Sequence, residues 1–234
     1  MVVALAFVAT AVSTLFAQAM LVRYTQEHRS QDGAWALALG MFALASVALT
    51  TGTATGWDNG TFRVFYLFGA VLDVPWLALG TVYLLVAHRI AHRIRLGLLV
   101  FSGFAAGVLA SVPMESVHGT DIPVGKDVFG ALPRVLAAVG SGVGAVVIIG
   151  GAVFSAARFA RDRSAPGHGR LAGANILIAL GTLVLSSGGL VQGAIGHDEA
   201  FTASLAVGIT VIYGGFLLAA TRGGDARVFQ HSAS

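Results

Sequence analysis

One acidic side chain, Asp73, lies near the middle of an apolar stretch that covers residues 62–86. A carboxylate at membrane depth costs about 2.5–3.5 kcal/mol on insertion scales, and such residues commonly form proton or ion sites. Pro75 follows two residues later and has no N–H to donate to the carbonyl of Val71. A kink beside a buried carboxylate can leave room for water or a ligand. Asp73 is therefore the first candidate for a proton or cation site.

Several other side chains follow the helical spacing that leads to Asp73. An α-helix would place five residues on one face, at steps of three and four: Arg63, Tyr66, Ala70, Asp73 and Leu77. Arg63 would lie about 15 Å along the axis from Asp73, at ~1.5 Å per residue, which is too far for a direct ion pair. We therefore expect Tyr66 to be the hydrogen-bond partner of Asp73, with water extending the relay towards Arg63. The alternative is a structural carboxylate that is bonded to a neighbouring Ser, Thr or Tyr, or paired with an arginine.

Two further residues complete the candidate site for a solute or ion. Arg134 begins the fifth apolar span directly after Pro133. Its guanidinium either reaches the lipid headgroups or points inward and forms an outer electrostatic collar with Arg63. Asn175 gives the sixth span a polar group. The predicted binding residues are Asp73, Tyr66, Arg63, Arg134 and Asn175, and no catalytic residue is predicted.

No motif predicts a metal or a cofactor. The outer loops contain His118, His197 and several carboxylates, but none of the spacings that mark metal sites occurs, which favours solvated acidic loops over a metal or pH-sensing site. His88 and His92 are four residues apart but lack the glutamate of the zinc-protease motif. We predict instead that the basic segment 87–95 extends the third helix and contacts anionic lipid headgroups.

Several classes of protein are disfavoured by residues that the chain lacks. There is no cysteine, which excludes disulfides, thiol chemistry and cysteine-ligated clusters. The last span has no lysine for a retinal Schiff base, and no two histidines lie deep in facing spans to ligate a haem. No hydrolase motif is present, so an enzyme is the least supported class.

The composition is that of a polytopic membrane protein. Hydrophobic residues make up 56% of the chain and charged residues 11%, which is under half of the roughly 25% found in soluble domains. The mean hydropathy is +0.81. The net charge of +3 comes from arginines in short loops, so nucleic acid is not an expected partner. The preference for arginine, alanine and glycine suggests a GC-rich bacterial genome.

Seven apolar spans predict an all-α bundle of seven transmembrane helices. Each is near the ~20 residues that a helix needs to cross ~30 Å of hydrocarbon. The predicted spans are residues 2–22, 34–54, 62–86, 96–114, 131–157, 171–192 and 201–221. They form one transmembrane domain over residues 1–222, and residues 223–234 form a short cytoplasmic tail.

The arginines predict how the bundle is oriented. They cluster in the loops after the first, third and fifth spans and in the tail, which places the N-terminus outside and the C-terminus in the cytoplasm. Ala17 and Ala19 resemble the small residues of a signal-peptide cleavage site. No basic residue precedes the first span, which favours a retained helix over a signal peptide. Cleavage would leave six helices with the same orientation.

These observations favour a multi-pass protein of the cytoplasmic membrane that transports a small solute or ion, with proton coupling through Asp73. The alternative is a membrane sensor or accessory subunit that acts through a separate membrane partner or a second copy of itself. The short loops leave no output domain, so that role would require a partner protein. A water-filled cavity at Asp73 would distinguish the two, because transport needs one and a scaffold does not.

Overall fold

The computed structural model describes residues 1–161 and 168–220. Within these ranges the chain is helical, and seven helices are long and apolar enough to cross a membrane, which is compatible with an integral membrane protein. They are α1 (Val2–Glu27), α2 (Ser30–Thr55), α3 (Asn59–Leu85), α4 (His88–Ser111), α5 (Ala131–Arg161), α6 (His168–Ile195) and α7 (Asp198–Ala220). The predicted tail, residues 223–234, lies outside the described residues.

Six of the helices form a closed ring, and α4 lies outside it. The contacts between helices run from α1 to α2, α3, α5, α6 and α7 and then back to α1. α4 packs mainly on α3 and α5, with three buried residues: Ala91, Ala105 and Leu109. In the most apolar window of α4 11% of residues are buried, against 44% in α2 and α3. α3 is therefore a central element of the bundle and α4 a peripheral one.

The start of α3 is set by an N-cap. The carboxylate of Asp58 accepts hydrogen bonds from the backbone N–H groups of Gly60, at 2.7 Å, and Thr61, at 3.1 Å. It also accepts one from the hydroxyl of Thr61, and this bond is the main reason that the pKa of Asp58 lies below its usual value. The stabilisation by this N-cap is therefore fully present above the usual pKa of an aspartate and is lost as the pH falls through the lowered pKa of Asp58.

The basic segment after α3 begins a new helix, which corrects one prediction. α3 ends at Leu85, Val86 is extended, and α4 begins at His88. Residues 88–95 are therefore the first two turns of α4 and do not extend α3. Hydropathy misplaced the start of α4 because charged residues at a helix end can reach the headgroup region without ending the helix.

Glycines let α5 pack closely against α3. An added Cβ at Gly140 would lie 2.8 Å from the carbonyl oxygen of Val71, and one at Gly144 would lie 3.0 Å from the carbonyl oxygen of Val74. Gly142, two residues away, has nothing within 4 Å of the same position and is exposed. The close approach is therefore specific to the glycines that face α3, as in other small-residue helix interfaces.

Enlarging Gly144 should separate these helices. We expect Gly144→Leu to destabilise the protein by about 1–3 kcal/mol or more, because the new side chain must displace backbone atoms of α3. Gly142→Leu is the matched control and should change the stability little. Thermal unfolding in detergent, followed by tryptophan fluorescence, would measure both. Equal unfolding temperatures for the two variants would contradict the packing described here.

A candidate proton or ion site in the broken third helix

α3 contains a π-helical segment, Tyr66–Leu72, directly before Asp73. The N–H of Asp73 bonds to the carbonyl of Phe68, five residues back rather than four. If the same i→i+5 pattern continued, the carbonyl of Ala70 would accept a hydrogen bond from the N–H of residue 75. That residue is Pro75, which has no N–H. Ser141 of α5 supplies the missing donor, and its hydroxyl lies 2.6 Å from the Ala70 oxygen. A side chain of a neighbouring helix thus stabilises the break.

The π segment changes which side chains share a face of α3. Each i→i+5 turn contains one residue more than an α turn, which rotates the rest of the helix by about 100°. The single face predicted for Arg63, Tyr66 and Asp73 assumed an uninterrupted α-helix. It does not continue through the segment, and the three side chains have different surroundings.

Asp73 is buried, with a relative exposure of 7%. The hydrogen bond that the structure gives its carboxylate comes from the backbone N–H of Val74, at 2.6 Å. Across residues 1–161 and 168–220 no side chain bonds or pairs with it. The neighbouring Ser, Thr, Tyr or arginine that a structural role requires is therefore absent from the described part of the chain.

The surroundings of Asp73 follow from the contacts between α2 and α3. Leu77 and Gly80 lie four and seven residues after Asp73, on the same face of the second half of α3. That face packs against Trp35 of α2, whose indole N–H donates to the Leu77 carbonyl at 3.1 Å. About one turn before Asp73, a Cβ added at Gly69 would lie 3.0 Å from the Cβ of Ala45 of α2. We infer that Asp73 faces residues 36–44 of α2, whose side chains contain no hydrogen-bond donor and no acceptor stronger than the thioether of Met41.

Arg63 binds the end of α4. Its guanidinium donates to the carbonyl of Leu109 and, at 2.9 Å, to that of Val112. The helical partner of the Leu109 carbonyl would be the N–H of residue 113, but Pro113 has none. Arg63 therefore satisfies a carbonyl that the proline leaves free, and it holds the peripheral helix against α3.

Tyr66 lies beneath the connection between α4 and α5, residues 112–130, which we call the cap. Its ring is 4.9 Å from that of Phe129 and 5.8 Å from that of Phe62. A Cβ added to Gly125 of the cap would lie 3.0 Å from the Tyr66 hydroxyl oxygen. The described hydrogen bonds do not join Tyr66 to Asp73, so the structure does not bring these two predicted partners together.

The other two predicted residues are also apart from Asp73. Arg134 is exposed near the start of α5, on the cap side of the bundle. The amide of Asn175 donates to the carbonyl of Leu171, within its own helix, at 2.8 Å. The structure thus places Arg134 and Tyr66 near one end of the bundle, while Asp73 lies at its middle.

The cap is an ordered layer, in contrast to the solvated loop expected. Val117, Ile122, Val128 and Phe129 are buried in it. Hydrogen bonds fasten it to the ends of α2 and α3: the N–H of Trp57 donates to Gly119 at 2.7 Å, and that of Val117 to the Asn59 side chain at 3.0 Å. The cap therefore closes the bundle above Tyr66.

A second set of hydrogen bonds fastens the cap to α6 and α7. The carboxylate of Asp198 accepts from the N–H of Ile122 at 2.8 Å and from the side-chain amide of Gln192 at 2.9 Å. Gln192 also donates to the Ile122 carbonyl at 3.3 Å. Across the described chain no group of three His, Asp or Glu residues is arranged to hold a metal. Asp198 thus contributes to holding the cap.

Removing the Asp198 carboxylate should loosen the cap. We expect Asp198→Ala to accelerate amide hydrogen exchange around Ile122 by about 10- to 100-fold, because an unsatisfied buried group costs about 1–3 kcal/mol. Asp121→Ala is the control, since Asp121 is an exposed acid in the same loop. Equal protection of Ile122 in both variants would show that Asp198 does not hold the cap.

One buried carboxylate, Asp32, was missed by the sequence analysis. It lies in the first turn of α2, is fully buried, and has an oxygen 3.3 Å from Nε of Arg23. Beside it, in the connection between α1 and α2, Glu27 lies 3.0 Å from Arg29. The sequence placed Asp32 in a polar loop between two spans, and the only signal was the charge alternation of this connection.

Two shallow cavities, of about 280 and 290 Å³, lie at opposite ends of the bundle. The first is formed by residues of the cap, among them Glu115 and Asp127, and the second is lined by Arg23, Glu27 and Phe216. Neither is lined by Asp73. Asp73 itself is buried between these two ends.

The arrangement has the features of an enclosed site for a proton or a small cation: a buried carboxylate, a broken helix, and an apolar helix opposite. The position of the carboxylate in the sequence and its distance from Arg63 were predicted, whereas its separation from Tyr66 was not. The chain matches no protein-family model, and no curated protein is significantly similar to it.

Proposed function

We propose that the protein transports a small solute or ion across the cytoplasmic membrane and that Asp73 is its proton- or cation-binding site. The observation that carries the proposal is the buried carboxylate at the break in α3, which has no side-chain partner among the residues that the structure describes. A charge in such surroundings is costly unless it is neutralised by a proton, a cation or a polar ligand. Broken helices at mid-membrane depth form the binding sites of many transporters.

The proposed mechanism couples the state of Asp73 to the opening of the bundle. A proton or cation neutralises the carboxylate while both ends are closed. When the bundle opens at one end, water reaches Asp73 and stabilises its charged form, which allows release. The cap would control one end, and the Arg23–Asp32 contact would control the other. The predicted orientation puts the cap outside the cell.

A rapid pH change applied to the reconstituted protein tests this function without knowledge of the solute. Proteoliposomes would be adsorbed on a solid-supported membrane and exposed to a rapid change of pH. We expect a transient charge displacement that scales with the amount of protein and is absent from protein-free vesicles. Adding a panel of cations and small solutes would then identify those that alter it. The absence of any displacement across the pH range in which the protein stays folded would exclude a proton site in the membrane.

A further inference from the structure

Three arginines on the first two turns of α4 have no acidic partner in the part of the chain that the structure describes. Arg89, Arg93 and Arg95 are all exposed, and none forms an ion pair or a side-chain hydrogen bond there. The sequence contains no Asp or Glu between Asp73 and Glu115. α3 below Asp73 and the whole of α4 therefore offer these cations no internal counter-ion.

Two arginines of the α1–α2 connection, at the same end of the bundle, are neutralised within the protein. Arg23 pairs with Asp32, and Arg29 pairs with Glu27 at 3.0 Å. The two carboxylates of this connection are therefore already engaged by their own arginines. This contrast separates the α4 arginines from those of the α1–α2 connection, although both groups lie at one end.

The position of the three arginines along α4 matches the depth of lipid headgroups. α4 has 24 residues, which is about 36 Å at ~1.5 Å per residue, against a hydrocarbon thickness of ~30 Å. Its uncharged part, residues 96–111, is about 24 Å long on the same scale. The helix therefore exceeds the hydrocarbon by about 6 Å, or roughly one turn. The long side chains of the arginines can extend along the helix and place their guanidinium groups at the headgroups. Ile90 and Ile94 lie among the arginines and are 51% and 43% exposed, as expected for side chains that face acyl chains.

His88 and His92 are exposed, but both contact the protein through Tyr83. Nδ1 of His92 lies 3.3 Å from the hydroxyl of buried Tyr83, and the rings of both histidines pack against the Tyr83 ring. This contact fixes the rotation of the first turns of α4. Arg89 and Arg93, four residues apart, then form one strip beside the isoleucines.

We propose that Arg89, Arg93 and Arg95 form a binding site for the phosphate groups of anionic phospholipids. Arginine suits this role because its planar guanidinium bonds two phosphate oxygens at once and is always charged. The site is independent of transport, since it would hold the peripheral helix α4 in the membrane whatever the protein does at Asp73.

Native mass spectrometry with defined lipids tests the site. The wild type would be titrated with dioleoyl phosphatidylglycerol and, separately, with dioleoyl phosphatidylcholine. We expect the anionic lipid to bind more tightly, and R89Q/R93Q/R95Q to weaken it by about 100-fold, or roughly fivefold per arginine. Binding of phosphatidylcholine should not change. A triple variant that keeps the preference for the anionic lipid would overturn the proposal.

Two further variants distinguish this site from a general effect of charge. Arg29→Gln removes one positive charge from the same end, but from an arginine that Glu27 already neutralises, so it should weaken lipid binding much less than Arg93→Gln. Equal losses in these two single variants would overturn the proposal as well. R89K/R93K/R95K keeps the three charges but lacks the planar guanidinium, so its affinity for phosphatidylglycerol should lie between those of the wild type and the glutamine triple. If circular dichroism shows that the glutamine triple is unfolded, the comparison of the single variants decides the question.

Discussion

Replacing Asp73 with asparagine should abolish the charge displacement that follows a pH step. Asparagine has nearly the same shape, and its side-chain oxygen can still accept the N–H of Val74 that lies 2.6 Å from the carboxylate. The asparagine amide does not ionise, so it cannot bind or release a proton over the pH range of the experiment. The expected signal is therefore that of protein-free vesicles, while unfolding occurs at the same or a higher temperature because no charge is buried.

Two variants make this result specific to a titratable group at residue 73. Asp73→Glu keeps a carboxylate and should retain part of the displacement, with a changed dependence on pH. Asp121→Asn removes an exposed carboxylate from the cap and should leave the signal unchanged. Infrared difference spectra would add a direct readout, since the C=O band of a protonated carboxyl should be missing from Asp73→Asn. A charge displacement of wild-type size in Asp73→Asn would show that a residue other than Asp73 exchanges the proton.

The number of helices and the place of Asp73 could be predicted because they depend on local sequence. A helix that crosses hydrocarbon needs an apolar run of about 20 residues, and soluble proteins rarely contain seven. The third span was predicted at residues 62–86 and is found as Asn59–Leu85. An acidic residue within such a run is conspicuous, so Asp73 was found without knowledge of the fold.

The surroundings of Asp73 could not be predicted because they depend on contacts between distant segments. The π segment needs both Pro75 and the hydroxyl of Ser141, 66 residues further along, and spacing within α3 gives no sign of it. The cap is similar. Its buried residues, among them Val117 and Ile122, are scattered through a polar stretch and form no periodic pattern. The role of Arg63 depends on a second proline, Pro113, whose effect on the Leu109 carbonyl is visible only when α3 and α4 lie together.

Replacing Arg63 with alanine should lower stability rather than solute affinity. The guanidinium bonds two carbonyls at the end of α4, and charge-assisted hydrogen bonds contribute about 1.5–3 kcal/mol each. Because the Leu109 carbonyl then has no donor, we expect Arg63→Ala to destabilise the protein by about 2–4 kcal/mol. Hydrogen exchange should locate the loss in the last turn of α4, and thermal unfolding should give its size.

Arg63→Lys separates this structural role from the outer electrostatic collar predicted from the sequence. Lysine keeps the positive charge but lacks the planar fork that lets one side chain reach both carbonyls, so it should recover only about half of the lost stability. A collar would depend on the charge alone, and Arg63→Lys would then behave like the wild type. Arg134→Ala provides the matched control, because Arg134 is exposed and should change stability little. If Arg63→Ala unfolds like the wild type while the pH-step signal falls in both alanine variants, Arg63 belongs to the collar and α4 is held by other contacts.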